Sequence, residues 1–160
     1  MSRAGPWLTT AARLALAVVW TWAGLAKMAD PDAALRAVRA YELFPEVLVK
    51  PVAWGLPFVE LALAVLLLVG LATRPAAWAS ALLFVTFIVM IGSAWVRGLS
   101  IDCGCFGGGG LDPNATSKYP WEIARDVGLL LLSGYLVWVG RTRLALDNLI
   151  FRATPAPEGR

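Results

Sequence analysis

Two cysteines, Cys103 and Cys105, stand one residue apart in the run Asp102-Cys103-Gly104-Cys105-Phe106-Gly107, and Gly108, Gly109 and Gly110 follow directly. They are the whole cysteine complement of the chain, and histidine is absent. Without histidine, the usual catalytic zinc sites, histidine-ligated haem and the common proton shuttle near neutral pH lose their ligand or base. Two thiols and three methionines are too few for a closed four-sulfur metal site in one chain. What remains is thiol chemistry. A Cys-x-Cys disulfide closes a very small ring, gains little from loop-closure entropy and is strained, so it suits exchange better than stapling. Gly104 relieves the backbone of that ring, and the glycines beyond it would let another protein's backbone approach.

Exchange runs through a thiolate, which nearby positive charge favours. Arg97 precedes the loop, and Lys27 and Arg125 are expected at the same membrane surface, so these three are the candidates to stabilise it. Other readings stay open at this level. The thiols could be inert, could bind copper(I) or zinc across a dimer, or could bond to a partner's cysteine; the chain could also be a non-enzymatic assembly factor. Glu60 is a carboxylate inside an apolar run, where a charge at mid-span costs about 2.5–3.5 kcal/mol and calls for a partner. Lys27 is the expected ion-pair partner, and proton transfer beside thiol or quinone chemistry is a compatible role. Arg125-Asp126 would extend the same polar layer.

The elements that must hold this loop are membrane helices. Hydrophobic residues make up 59% of the 160 and charged residues 16%, against about 25% charge in ordinary soluble domains. The net charge of +3 carries no basic cluster, which argues against nucleic-acid binding. Apolar segments at 8–28, 52–72, 76–96 and 121–139 predict four spans, each near the 20 residues that cross a bilayer. The first is read as a retained span rather than a cleaved signal peptide, with Arg13 and Lys27 snorkelling to opposite faces. Asp30-Pro31-Asp32 opens a short interfacial helix over 31–44, with Leu35, Val38 and Tyr41 on one face. Thr73-Arg74-Pro75 predicts a tight turn that returns the third span beside the second.

The expected fold is therefore all-α: an antiparallel four-helix transmembrane bundle over residues 1–144, with a redox loop at 98–120 and a disordered cytoplasmic tail at 145–160. Trp7, Trp54, Trp78, Trp95, Trp121 and Trp138 fall near span ends, as interfacial aromatics do. Trp20 and Trp22 lie deeper, where core packing or a flat ligand such as a quinone would use them. The basic residues divide equally between the two sides, so the positive-inside rule does not orient the chain by count. Arg141 and Arg143 after the last span favour cytoplasmic termini, and a persistent disulfide fits an extracytoplasmic loop.

Several separated stretches resemble one family. Ala23-Gly24-Leu25-Ala26-Lys27, Asp30-Pro31, Tyr41, Pro45, Pro57 with Glu60, Arg97-Gly98 and the Asp-Cys-Gly-Cys-Phe-Gly loop are similar to the MauE proteins, the methylamine-utilisation membrane proteins related to DoxX-like four-helix proteins. The resemblance covers roughly residues 8 to 140. It implies four transmembrane helices in the plasma or inner membrane and thiol redox at the extracytoplasmic face. It also implies a thioredoxin-fold partner and a role in maturing exported proteins. On this chain it assigns Cys103 and Cys105 as the redox pair, with Lys27 and Glu60 as the matching intramembrane polar positions. Analogy with disulfide-oxidising bundles such as vitamin K epoxide reductase adds a membrane quinone as candidate cofactor, and self-association into a homo-oligomer is a further expectation. The four-glycine run and the insert at 111–119 depart from the family pattern.

Overall fold

The computed structural model describes residues 5–139. The basic stop at Arg141 and Arg143 and the tail at 145–160 lie outside the described residues. The architecture is all-helical apart from one small ribbon. Helix α1 spans Gly5–Ala29, α2 Pro31–Ala40, α3 Glu46–Val69, α4 Thr73–Val96 and α5 Ala115–Val139. Between α4 and α5, the two-residue strands β1 (Ile101–Asp102) and β2 (Gly110–Leu111) pair antiparallel, with Ile101 opposite Leu111 and Asp102 opposite Gly110. This ribbon closes the base of the cysteine loop, and no alternation in the sequence announced it.

Helices α1, α3 and α4 are long and apolar enough to cross a membrane, and they are the three such helices among the described residues. Helix α5 has the length, but Lys118, Glu122, Arg125 and Asp126 occupy its first half. All four long helices turn apolar side chains outward: Val18, Phe58, Leu82 and Leu131 are each more than 60% exposed. The six tryptophans expected at span ends are likewise exposed.

Several boundaries differ from the sequence reading. Helix α2 ends at Ala40 rather than 44, because Glu42 takes a left-handed φ of 53° and turns the chain. Helix α3 starts at Glu46, not 52; an Arg39–Glu46 ion pair ties its first turn to α2, and Pro51 is accommodated within the helix. The turn to α4 is residues 70–72, with Gly70 as left-handed C-cap, so Thr73-Arg74-Pro75 is the first turn of α4 instead of the connection. The opening of α2 is as expected: Asp30 Oδ1 accepts the Ala33 N–H at 2.8 Å and Pro31 takes the first helical position.

The main packing pairs are α1 with α3 and α4 with α5, so α3 and α4, though consecutive, are not each other's principal partners. The α1–α3 crossing is close because Gly24 has no side chain: a Cβ there would lie 2.7 Å from Leu61 Cγ and 3.2 Å from the Pro57 carbonyl. One core cluster, around Leu16, Trp20, Leu67, Phe84 and Leu136, joins the four long helices. Trp20 is spent on that packing, stacked on Phe84 at 4.7 Å and donating to Ser80 Oγ at 2.9 Å, whereas Trp22 faces outward. Arg13 does not snorkel; it is 2% exposed, with Nη1 3.5 Å from the Leu68 carbonyl. A second cluster, of Tyr41, Ile91, Ala94, Ile101, Cys105, Ala115 and Tyr119, seats the loop on the end of the bundle.

The glycine run belongs to that seating. Gly109 has φ +140°, and a Cβ on it would meet the Ala33 carbonyl at 2.4 Å; a Cβ on Gly104 would meet Ala37 Cβ at 2.5 Å. The close approach served by these two glycines is to α2 of the same chain, in place of a foreign backbone. Gly109→Ala should therefore lose about 1–3 kcal/mol through backbone strain and steric clash. Gly128→Ala, placed in open space inside helix α5, should be neutral or gain up to about 1 kcal/mol. Thermal unfolding in detergent checks this; equal melting temperatures for the two variants would refute the seating role.

Candidate functional site: a buried dithiol loop

The loop is fixed from both of its ends. Tyr119 Oη accepts the Ile101 N–H at 3.0 Å and donates to the Leu99 carbonyl at 2.7 Å, clamping the chain just before the cysteines. Asp102 Oδ1 accepts the Gly104 N–H at 2.9 Å, closing a local turn around Cys103. Immediately after Cys105, Phe106 lies edge-on to Trp22 of α1, and the Arg125 guanidinium sits 4.4 Å from its ring centroid.

The two sulfurs are not equivalent. Both cysteines are free thiols; Cys103 is half-buried and Cys105 is 5% exposed. Cys103 Sγ accepts the Cys105 N–H at 3.4 Å. The hydrogen bond with Cys103, together with burial, pushes the Cys105 thiol well above the ordinary thiol range. Cys103 is thus the more open sulfur of the two, and Cys105 the enclosed one. Tyr41 Oη donates to the Cys103 carbonyl at 3.3 Å, and burial raises its phenol far above the usual range, which keeps it a donor.

Beneath the loop lies the ion pair expected from the sequence. Lys27 Nζ is 2.8 Å from Glu60 Oε1, and both side chains are buried. A helical side chain leans toward its own N-terminus, and Nζ accordingly reaches back to the Ala23 carbonyl at 3.4 Å. Its third bond, 2.6 Å to the Cys105 carbonyl, joins the pair to the cysteine loop. Lys27 therefore does not reach the headgroups. Lys27 and Arg125 lie near enough for their charges to act on Cys105. Arg97 instead donates to the Tyr41 and Ser93 carbonyls, bracing the turn after α2.

Arg125 also pairs with Asp126 at 2.9 Å, and Asp126 is buried, so the polar layer continues across α5. One acidic group went unrecognised in the sequence: Glu122, half-buried near the loop with its Oε2 enclosed and without a hydrogen-bond partner. Its spacing from Arg125 and Asp126, three and four residues, puts all three on one helical face once α5 is known to begin at Ala115. A start at 121 makes it look like a solvated helix end. Tyr119 was missed for the same reason.

A cavity of about 220 Å³ opens between α2, α3, α4 and the loop. Lys27, Tyr41 and both cysteines line one side, and Leu83, Phe87 and Met90 are among the apolar residues lining the other. Among the described residues, no group of three or more Cys, Asp or Glu side chains is arranged to hold a metal ion.

Comparison with known proteins places these features. The family described as "Methylamine utilisation protein MauE" matches residues 5–139. Among individual proteins, the chain is 33% identical over 138 residues to the methylamine utilization protein MauE of Methylorubrum extorquens, covering 85% of this chain and 72% of that protein. It is 36% identical to the protein of the same name from Paracoccus denitrificans over 65% of this chain and 56% of the relative. The counterpart from Methylophilus methylotrophus is 39% identical over 62% and 53%. The chain thus spans little more than half the length of these last two. No solved structure matches it.

The Lys27 geometry makes a separable prediction. Lys27→Met leaves the Glu60 carboxylate buried without its cation and should cost about 3–5 kcal/mol. The double variant Lys27→Met/Glu60→Leu should recover most of that loss but not the tether to the Cys105 carbonyl, so Cys105 should stay more reactive to alkylation than in the parent. Thermal unfolding paired with site-resolved alkylation checks both halves. A double variant no more stable than the single one would contradict the pair's role.

Proposed function

The chain belongs to the MauE family, and from that premise and the geometry of its loop we propose that it is a four-span membrane thiol–disulfide exchange protein acting through Cys103 and Cys105. The observation that carries the proposal is the asymmetry of the pair: a half-buried sulfur accepting an N–H bond, backed by a buried one. That is the division of labour exchange needs, one thiol to form the mixed disulfide and one to release it. The reciprocal protein is a thioredoxin-fold protein outside the cytoplasm, and the service is disulfide formation or maturation of exported proteins. The relatives are named for methylamine utilisation, and we assign this chain to the same process.

Helix α5 is the fourth span in this reading. Its outward Leu131 and Trp138 suit lipid, while its charged residues turn to the loop or solvent at one end. Both termini then share the cytoplasmic side and the cysteines the opposite one. The cavity suggests where a membrane quinone would bind. An apolar cavity of about 150 Å³ already takes a benzene-sized ring, and this one is about 220 Å³ with both cysteines on its wall. Lys27, Tyr41 and Thr86 are polar groups beside it; a bound quinone would supply a two-electron acceptor.

Serine substitutions test the exchange reading. With a thioredoxin-fold disulfide substrate, Cys105→Ser should accumulate a mixed disulfide through Cys103. Cys103→Ser should form little or none, and both variants should lose turnover by about a hundredfold or more. Turnover surviving in both would end the proposal, and trapping through Cys105 alone would reverse the assignment of the two sulfurs.

A further inference from the structure

We infer that the peptide unit between Cys103 and Gly104 is a latch on the redox state of the pair, held by Tyr41 and Asp102; this rests on the exchange reading above. Side chains grip both ends of that one plane. Its carbonyl accepts the Tyr41 hydroxyl at 3.3 Å, and its N–H donates to Asp102 Oδ1 at 2.9 Å. The phenol is itself fixed: Tyr41 is buried, packs in the cluster with Ile91, Ala94 and Ile101, and its own carbonyl accepts from Arg97. The other contact from the bundle, Lys27 to the Cys105 carbonyl, falls beyond the second cysteine. The gripped unit, by contrast, lies within the ring that a Cys103–Cys105 bond would close.

The hold is on the dithiol arrangement. Each sulfur is turned to the other cysteine's backbone: Cys103 Sγ accepts the Cys105 N–H at 3.4 Å, and the Cys105 thiol donates to the Cys103 carbonyl at 3.9 Å. Joining the sulfurs abolishes that S–H donor, and closing so short a ring onto disulfide geometry turns the peptide unit between them. Cys103, Gly104 and Tyr41 all line the cavity of about 220 Å³, which gives the turning carbonyl room to leave the phenol. In oxidation by an external disulfide, the two thiols give up two protons and two electrons as the Cys103–Cys105 bond forms. The reagent's own S–S bond opens and takes up both, leaving two thiols. The Tyr41 and Asp102 bonds stabilise the starting side of that exchange. A disulfide formed against them is the more readily passed to a partner.

The test needs no partner protein. The purified full chain in detergent is equilibrated with reduced and oxidised glutathione, and the Cys103–Cys105 disulfide is scored by mass after alkylation. Tyr41→Phe strips the donor from the carbonyl in the dithiol state, so the equilibrium constant for oxidation should rise about three- to tenfold. Asp102→Ala should move it the same way, whereas Asp102→Asn keeps an oxygen for the Gly104 N–H and should stay within about twofold of the parent. Tyr119→Phe is the structural control. It loosens the chain at Leu99 and Ile101, outside the ring, and should lower the melting temperature while moving the constant less than about twofold. An unchanged constant in Tyr41→Phe, a shift toward the dithiol, or an equal shift in Tyr119→Phe would overturn the latch. A parent that forms no Cys103–Cys105 disulfide at any glutathione ratio would instead sink the exchange reading, and the latch with it.

Discussion

Lys27 is the residue on which the rest depends. A buried ammonium must find compensation for its lost water, and here it makes three bonds: to Glu60, to the Ala23 carbonyl and to the Cys105 carbonyl. The first two hold α1 against α3. The third fixes the cysteine loop to the same point. Gly24 makes this possible one turn earlier by letting α1 approach the Pro57 carbonyl and Leu61 closely enough for a lysine to reach Glu60. A pair that looks like a stability device is therefore also the anchor of the cysteine loop, and its cost in an apolar bundle is the cost of fixing that loop.

Around that anchor, the loop is a rigid support for two unequal sulfurs. Tyr119 clamps its entry, Phe106 wedges its exit between Trp22 and Arg125, and the glycines press its far side onto α2. Rigidity keeps the enclosed sulfur beside the more open one while it stays hidden within the fold. Burial of Cys105 does the hiding, and the Cys105 N–H placed on Cys103 Sγ keeps the two in register. The polar layer from Glu60 through Lys27 to Arg125 and Asp126 runs directly beneath, so charge changes at the sulfurs occur next to groups able to respond.

Much of this was legible in the sequence because the decisive features are local or costly. A carboxylate in an apolar span demands a cation, and Lys27 at the end of the preceding span was the available one. Asp30-Pro31 marked a helix start by capping chemistry alone. What could not be read were features set by tertiary distance. The glycine run signals freedom in sequence, but only the seating against Ala33 and Ala37 shows where that freedom is used. Arg13 looked like a headgroup anchor because snorkelling is the cheapest solution for an isolated cation, and the α3 carbonyl beside it was invisible. Tyr119 closes the insert and Glu122 opens the predicted span, and their shared helix is visible only once α5 begins at Ala115, well before its apolar stretch.

The most direct test of the central claim is made in intact cells: a membrane-impermeant alkylating tag applied to the native protein, before and after mild reductant and mild oxidant. If Cys103 and Cys105 form an extracytoplasmic exchange pair, the tag reaches them, reductant increases the labelling and oxidant abolishes it. Labelling that no redox treatment changes, or that only a membrane-permeant reagent achieves, would contradict the account.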